Sequence, residues 1–242
     1  MKKESILSLG LALTLVLTSG CQIKNNNEKE EVKETEEVIE EVIEEVMPTI
    51  EPTPTPDVFY QNNDFATVLK DTNLYDKYGN VIEVVERCQK VLRISSNSNV
   101  AFVQTESLQN GYIYNEDLEI LPDLFVEVDI SDQTVKMYKD NEVILTTLTV
   151  TGKTSTPTRV GYFPITYKTY DTYLTGPGYK SHVYYWMPFD GGIGLHDAAW
   201  RDSFGGDIYI NNGSHGCVNL PHDAAKEIYE NVDAGTMVLV HN

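Results

Sequence analysis

The sequence predicts a mainly β protein, and two observations lead to this class. Short runs in which apolar and polar residues alternate, as in Phe125–Ile130, recur through residues 58–242 and are separated by turn residues. Within residues 123–242, Pro221–Val232 is the one segment whose apolar residues recur with the period of an amphipathic helix. The chain has 242 residues, of which 41% are hydrophobic, and this suffices for one or two folded units behind a leader.

The N-terminus has the pattern of an export signal: a charged start, an apolar run at residues 6–17, and small residues before Cys21. The apolar run is shorter than the ~20 residues that a membrane span needs. The cysteine at its end resembles the lipid-attachment site of a bacterial lipoprotein, although Thr18 stands where leucine is usual. We therefore predict a lipoprotein-type signal peptide over residues 1–21, lipidated at Cys21, with ordinary secretion as the alternative.

Residues 22–57 have the composition of a solvated spacer. Glu28–Glu45 is strongly acidic, and Met47–Pro56 is rich in Thr and Pro. Dense like charge opposes folding, and repeated proline favours an extended chain, so we predict an acidic and then Thr/Pro-rich linker. The net charge of −19 argues against nucleic acid or anionic lipid head groups as partners of the protein.

Residues 58–122 show a small all-β pattern. The candidate strands, bounded by turn residues, are Ala66–Leu69, Val81–Val85, Val91–Ile94 and Val100–Val103. The residues that resemble a bacterial SH3-like domain are Leu74-Tyr75, Val91–Ile94 and Gly111–Ile113. That resemblance implies a small barrel of a kind that commonly binds cell-wall peptide or glycan, although no decisive site stands out. Cys88 lies between strands and is interpreted as a packing residue.

Residues 123–242 begin as a β-meander. The candidate strands are Phe125–Ile130, Val135–Tyr138 and Val143–Val150, followed by a strand that begins within Thr156–Phe163 and a final buried strand at Met237–Val240. The apolar residues that share one face of the predicted helix are Ala225, Ile228, Tyr229 and Val232, and Pro221 fits its first turn. This unit is therefore mostly β, with a helix directly after the cysteine described next.

The stretch with the clearest chemistry is Ser214–Asn219, which reads Ser-His-Gly-Cys-Val-Asn and places Cys217 close to His215. A second histidine, His196, lies upstream in a glycine-rich segment. A thiol is a nucleophile only as the thiolate, and a neighbouring imidazole is the usual means of forming it. Gly216 lets the backbone turn sharply beside the cysteine. These residue types predict a cysteine nucleophile with a histidine base in acyl transfer; the alternative is a small buried cysteine in a turn beside surface histidines.

Three motifs in a fixed order resemble the L,D-transpeptidase (YkuD-type) catalytic domain. They are Thr-Pro-x-x-x-Gly-x-Phe at 156–163, Gly-x-x-Leu-His at 192–196 and Ser-His-Gly-Cys-Val-Asn-Leu-Pro at 214–221. The resemblance covers residues 123–242, about half of the chain. It implies a β-sandwich domain with one helix after the catalytic cysteine, and an enzyme that uses neither a cofactor nor a metal.

The resemblance implies peptidoglycan stem peptides as substrates. In the expected reaction Cys217 attacks the carbonyl of the third stem residue, a diamino acid, and releases the terminal D-alanine to leave a thioester acyl-enzyme. A side-chain amine of a second stem peptide then closes a 3→3 cross-link. The enzyme would act in cell wall biogenesis as an exported monomer, lipid-anchored through Cys21 on the outer face of the membrane.

The resemblance also implies the roles of the site residues. The family motif places the general base at the upstream His196, so His215 is expected to shape the site or to form a hydrogen bond near the oxyanion. Backbone N–H groups around Gly216 and Cys217 are the expected oxyanion donors.

The neighbouring residues receive plainer interpretations. The expected site-shaping side chains are Ser214, Asn219 and Asp197. Asp197 would orient His196 by its side chain or its carbonyl, and Asn219 would brace the loop. The histidines interpreted as surface residues are His182, His222 and His241. The aromatic residues interpreted as core, with a substrate cleft as the alternative, are Tyr184, Tyr185, Trp186 and Trp200. Arg201 and Lys180 are candidates for meeting a stem-peptide carboxylate.

Several alternatives stay open at this point. The same site would give an L,D-carboxypeptidase if water rather than an amine resolved the thioester. His196, His215 and Cys217 would give a zinc hydrolase if they formed a metal site with an open position. A non-catalytic, wall-binding lipoprotein is the third alternative. A disulfide between Cys88 and Cys217, which would bury the nucleophile, is the fourth.

Overall fold

The computed structural model describes residues 57–176 and 178–242, and these residues belong to one compact unit. The predicted signal peptide over residues 1–21, with lipidation at Cys21, lies outside the described residues, as does all of the predicted linker except its last residue. None of the helices in the described part of the chain has the length and apolar character that crossing a membrane requires.

The first sheet contains seven strands, and every neighbouring pair in it is antiparallel. Its strands are β1 (Tyr60–Val68), β2 (Thr72–Tyr75), β3 (Val81–Val85), β4 (Lys90–Ser96), β5 (Val100–Gln104), β6 (Asn110–Tyr114) and β7 (Leu118–Ile120). They lie in the order β3-β2-β6-β5-β4-β1-β7 around a core that includes Val68, Leu74 and Ile113. The four predicted strands are confirmed, but β1 starts six residues before Ala66, because a register shift between Gln61 and Asp64 interrupts its alternation.

Two further sheets form the remainder of the protein. The second contains β8 (Leu124–Asp129), β9 (Thr134–Lys139), β10 (Glu142–Leu148), β11 (Gly161–Pro164) and β16 (Met237–His241) in the order β10-β9-β8-β16-β11. The third contains β12 (Thr169–Gly176), β13 (Tyr179–Asp190), β14 (Ile193–Asp197) and β15 (Val218–Leu220) in that order. Helices α1 (Ile208–Asn212) and α2 (His222–Asn231) lie on either side of β15 in the chain. The pairs β8–β16 and β14–β15 are parallel, and the other pairs are antiparallel.

The second and third sheets form a sandwich around one apolar core, which confirms the predicted mainly β class and the sandwich. Val126 of β8 and Val238 of β16 meet Met187 of β13 and Leu195 of β14 in this core, all without solvent exposure. Ile228 of α2 packs into the same cluster. Each such side chain stabilises the fold by about 1.5–3 kcal/mol when it leaves water, so this core fixes the third sheet, and with it His196, against the second.

Helix α2 is confirmed, with two differences in detail. Ala225, Ile228 and Val232 are fully buried, as the predicted apolar face requires. Pro221 precedes the first helical residue, with an extended ψ of 145°, instead of occupying the first turn. In addition, β15 separates the cysteine from the helix, because Val218–Leu220 pairs with β14 before the chain turns into α2.

Residues 169–197 form strands for which the sequence patterns above offer no candidate. They contain the long β12–β13 hairpin and strand β14, on which His196 lies. Both faces of β12 keep partial solvent exposure, so its sequence lacks the apolar-polar alternation that identifies a strand. Helix α1 has five residues and buries none of them, so it too leaves no amphipathic pattern.

A buried ionic cluster joins the first sheet to the second. Glu127 of β8 accepts hydrogen bonds from Lys90 Nζ of β4 at 2.6 Å and from Tyr138 Oη at 2.8 Å, and its carboxylate lies 3.2 Å from His241 Nε2. The prediction that His241 is a surface residue is therefore wrong: it is 1% exposed, because β16 is covered on both faces. Beside the cluster, Phe65 of β1 contacts Tyr138 edge-on, with ring centroids 5.3 Å apart.

Charge pairing makes this cluster stable despite its burial. Burial opposes ionisation of Glu127, but His241 and Lys90 outweigh that effect and hold the pKa of the carboxyl well below its usual range. Burial likewise opposes the charge on Lys90, but the Glu127 and Glu106 carboxylates raise the pKa of its ammonium above the usual value. The pair is therefore ionised at neutral pH, and each charge depends on the other.

We expect Lys90→Met to lower the free energy of unfolding by about 3–5 kcal/mol, because it leaves the Glu127 carboxylate buried without its ammonium partner. Urea unfolding of the full chain at pH 7 would measure the change. Lys139→Met is the matched control, since Lys139 is exposed and follows Tyr138 on the same strand. Its expected effect is within about 0.5 kcal/mol. Equal and small effects of both substitutions would show that Lys90 does not stabilise the junction between the two sheets.

Candidate active site

The segment that carries the cysteine is held in place by the backbone and the threonines of residues 149–158. Three threonine hydroxyls donate to its carbonyl groups: Thr149 to Asn219 at 2.9 Å, Thr156 to Ser214 at 3.0 Å, and Thr158 to Gly216 at 2.8 Å. Backbone bonds add to this, since the N–H of Ser214 donates to Thr151 O and the N–H of Lys153 donates to Ser214 O. The turn that presents the cysteine is therefore fixed by contacts 58 or more residues away in sequence.

Gly216 occupies a backbone position that favours glycine. Its φ is +114°, and a Cβ there would lie 2.9 Å from Ile193 Cδ1. Ser214 closes the same turn, because its Oγ accepts from the N–H of Gly216 at 3.0 Å and donates to the carbonyl of Cys217 at 2.5 Å. The N–H of Gly216 is thus already bonded within the turn, so of the two expected oxyanion donors it is the one engaged at rest.

Asp197 follows His196 on β14 and anchors it through the main chain. The carbonyl of Asp197 lies 2.8 Å from His196 Nδ1. The carboxylate, 1% exposed, turns elsewhere: Oδ1 accepts from the N–H groups of Tyr184 and Tyr185, both at 2.8 Å. Oδ2 lies 3.3 Å from Nδ1 of His222, a histidine that is on the surface as predicted. Asp197 was expected to orient His196 by its side chain or by its carbonyl, and in the structure the carbonyl contacts the ring.

His196 is buried, 3% exposed, between the rings of Trp186 and Trp200, whose centroids lie 5.9 and 5.8 Å away. Its Nε2 lies 3.0 Å from Nδ2 of Asn219. The Oδ1 of Asn219 in turn accepts from Nε of Arg201 at 2.8 Å. Burial lowers the pKa of His196, although the hydrogen bond to Asp197 partly opposes this, so the ring is neutral at neutral pH.

The Cys217 thiol is half-buried at the N-terminal end of β15. Its Sγ donates to the carbonyl of Gly192 at 3.8 Å. Burial raises the pKa of the thiol, and a hydrogen bond with the Gly194 backbone only partly offsets this. The resting site therefore contains a protonated thiol and a neutral imidazole.

Two cavities meet at Cys217. The first has a volume of about 180 Å³, and its polar lining residues are Ser181, His196, Arg201, Ser214, His215 and Asn219. The second, about 280 Å³, lies against the β12–β13 hairpin, and its aromatic lining residues are Tyr167, Tyr173, Tyr179 and Trp186. Trp200 lines the first cavity, so it and Trp186 fit the cleft interpretation of the aromatic residues. Tyr185, by contrast, is 8% exposed and belongs to the core.

The other sequence-predicted residues divide between this site and places outside it. His215 lines the first cavity but is exposed, and its ring stacks on that of Tyr179 with centroids 5.0 Å apart. Arg201 reaches the cavity, whereas the Lys180 ammonium lies 4.4 Å from the centroid of the Tyr173 ring. The threonine contacts and the Arg201–Asn219 hydrogen bond were not predicted from the sequence, because no local pattern of residues indicates either one.

Two of the open alternatives do not agree with the structure. Cys88 and Cys217 are both free thiols, and Cys88 is buried in an apolar cluster, as a packing residue would be. Across residues 57–176 and 178–242, the one set of three potential ligand atoms within 4.8 Å of one another is the Glu106, Glu127 and His241 set. Lys90 Nζ already occupies that set, and the proposed zinc ligands around Cys217 do not converge in this way.

The fold and the cavities define a class of protein: a mainly β sandwich domain in which a cysteine and a buried histidine face one opening. Comparison with known proteins identifies the family within this class. Residues 123–240 match YkuD, the L,D-transpeptidase catalytic domain. No curated protein matches the chain.

Solved structures agree with that match. A cysteine-to-serine mutant of the Enterococcus faecium L,D-transpeptidase is 30% identical over 73% of this chain and 76% of its own, with a TM-score of 0.50. The carbamoyl enzyme of Ldtfm with avibactam is 31% identical over 73% of this chain and 75% of its own, with a TM-score of 0.51. The chain therefore belongs to the L,D-transpeptidase (YkuD) family.

We expect alkylation of Cys217 by iodoacetamide to follow an apparent pKa above the ordinary thiol value of about 8.5, because partial burial of the thiol disfavours the thiolate. Below that pKa the rate should rise about tenfold per pH unit, since only the thiolate reacts. Peptide mapping by mass spectrometry on the full chain between pH 6 and 10 separates Cys217 from Cys88.

His196→Gln is the matched variant for this measurement. If His196 is neutral, the substitution leaves the apparent pKa of Cys217 nearly unchanged. A wild-type rate that is already maximal at pH 7, and that falls sharply in His196→Gln, would instead show a thiolate–imidazolium ion pair at rest.

Proposed function

We propose that this protein is a peptidoglycan L,D-transpeptidase that forms 3→3 cross-links through a thioester on Cys217. The observation that carries the proposal is the cavity in which Cys217 and His196 both take part, in a chain of the L,D-transpeptidase family. The glycine turn and the threonine contacts support it, because they hold the nucleophile on a rigid loop at the opening of that cavity.

The proposed reaction has two acyl transfers. In the first, His196 takes the thiol proton as Cys217 attacks the carbonyl of the third stem residue. The C–N bond to the terminal D-alanine then breaks, and the proton passes to the leaving amine. In the second, the side-chain amine of another stem peptide attacks the thioester and gives its proton to His196, and the thiol is regenerated. Water in place of that amine would give L,D-carboxypeptidase activity at the same site.

The surrounding groups have supporting roles in this proposal. The N–H of Cys217 is the proposed oxyanion donor, since that of Gly216 is bonded to Ser214. His215 stands at the cavity mouth on Tyr179, where it would border the bound acyl group. Cavities on two sides of the thiol support separate approaches for the donor and the acceptor stem peptides.

The rest of the chain fits an enzyme of the cell wall. We propose that residues 1–21 direct export, that Cys21 is lipidated on the outer face of the membrane, and that 22–57 is a linker. Residues 58–122 would be an SH3-like module and 123–242 the catalytic domain of a monomer. The seven-stranded antiparallel sheet supports the module assignment.

The test is incubation of the full chain with a disaccharide-tetrapeptide, followed by mass spectrometry. We expect a dimeric product that has lost one D-alanine, none of it with Cys217→Ala, and a rate about 10²–10⁴-fold lower with His196→Gln, because the base is removed. His182→Gln, in a residue that lines neither cavity, should keep wild-type activity.

Two other outcomes would change the proposal. Tripeptide without dimer would replace transpeptidation by carboxypeptidase activity. Unchanged substrate with a correctly folded wild-type chain would contradict this chemistry for the protein.

A further inference from the structure

The side-chain amide of Asn219 has its orientation fixed by its partners. A guanidinium can only donate hydrogen bonds, so the atom that faces Nε of Arg201, at 2.8 Å, must be the amide oxygen. The amide nitrogen therefore faces His196 Nε2, at 3.0 Å. Because that nitrogen can only donate, His196 Nε2 must accept, and it carries no proton in this arrangement.

Both residues that impose this orientation are themselves held. Asn219 is 2% exposed, and its backbone exchanges two hydrogen bonds with Val150, both at 3.0 Å. Arg201 donates a second hydrogen bond, from Nη1 to the carbonyl of Asn212 at 2.8 Å, so its guanidinium is fixed at two points. Neither side chain can turn away without leaving a buried or half-buried polar group unpaired.

The second ring nitrogen of His196, Nδ1, indicates the same protonation state. His196 Nδ1 lies 2.8 Å from the carbonyl oxygen of Asp197, which can only accept, so the ring donates from Nδ1. The charged or ionisable groups around the ring are Arg201, the Cys217 thiol across the cavity and Asp197, whose carboxylate turns away to the N–H groups of β13. No acceptor other than the Asp197 carbonyl lies against the ring among the hydrogen bonds of the described residues.

We propose that Asn219 and Arg201 are positioning residues that hold His196 as the neutral tautomer with its proton on Nδ1 and its lone pair on Nε2. This inference rests on the proposed function, in which His196 is the base. An imidazolium would set an Nε2–H against the N–H of the Asn219 amide, so the arrangement raises the free energy of the charged ring. Nε2 takes the thiol proton only when the Asn219 amide gives up its hydrogen bond there, and the raised free energy of the imidazolium then favours passing that proton on to the leaving amine.

Substitution of Asn219 by aspartate reverses this preference. The introduced carboxylate keeps an acceptor for Arg201 but offers its second oxygen to the ring, which favours an Nε2–H and therefore the imidazolium. Substitution of Arg201 by glutamine removes the guanidinium that fixes the amide, whereas Arg201→Lys keeps a donor that can only face the oxygen. The three variants therefore test whether the orientation of the side chain at position 219, and not only its presence, sets the protonation state of His196.

The experiment is ¹H–¹⁵N correlation of the imidazole nitrogens in the full chain with ¹⁵N-labelled histidine, between pH 5.5 and 8. His196→Gln assigns the signal among the five histidines. In the wild type we expect a protonated Nδ1 and an unprotonated Nε2 throughout this range. Asn219→Asp should show both nitrogens protonated at pH 6, with Cys217 alkylated about tenfold faster at that pH, because an imidazolium stabilises the thiolate. Arg201→Lys should keep the wild-type signals, and Arg201→Gln should raise the fraction of protonated Nε2 at pH 5.5, because the Asn219 amide can then turn its oxygen to the ring.

Two results would overturn the inference. A wild-type signal with the proton on Nε2 would do so without any variant. So would an Asn219→Asp protein whose His196 stays neutral, since a merely structural asparagine would change stability and leave the tautomer unaltered. Because these signals are read without substrate, absence of cross-linking would contradict the proposed function alone, while the wrong tautomer in an active enzyme would contradict this inference alone.

Discussion

The site depends on one constraint, which is the attachment of the cysteine turn to residues 149–158. Each carbonyl that receives a threonine hydroxyl belongs to a residue in or beside the turn, so the backbone around Cys217 cannot rotate without breaking several buried hydrogen bonds. A φ of +114° would strain any residue other than glycine, and these contacts hold Gly216 in that conformation. The local sequence supplies the cysteine, but a distant segment supplies the geometry of its turn.

The two buried polar clusters use opposite physical solutions. At the junction of the first and second sheets, Lys90 and Glu127 are both charged and each compensates the other. At the site, Cys217 and His196 are both uncharged at rest, and neutral donors and acceptors fix the ring. An ion pair suits a structural junction because the charges of its two groups do not have to change. A neutral pair suits chemistry in which one proton has to move and return.

Local patterns were enough to predict much of the fold and the centre of the site. Phe125–Ile130 alternates apolar and polar residues and α2 has an apolar stripe, so both were found. Strand β14 and the hairpin before it were missed, because β12 has no buried residue to mark an apolar face and because the pairing of these strands is set by tertiary contacts. His241 was misplaced for a related reason, since its buried partner Glu127 lies more than 100 residues earlier in the chain. Which atom of Asn219 faces His196 depends on Arg201, and no sequence pattern carries that information.

The order of strands in the second sheet has a consequence for how the chain folds. β16 lies between β8 and β11, and it pairs in parallel with β8, whose residues are more than 100 positions earlier in the chain. Until Met237–His241 is available, β8 and β11 each have an unpaired edge, and the apolar face of the sandwich is incomplete. Contacts of such long sequence separation slow folding, because loop closure precedes the gain from packing. The half of the protein that carries the cysteine should therefore gain its structure late, as a single cooperative step.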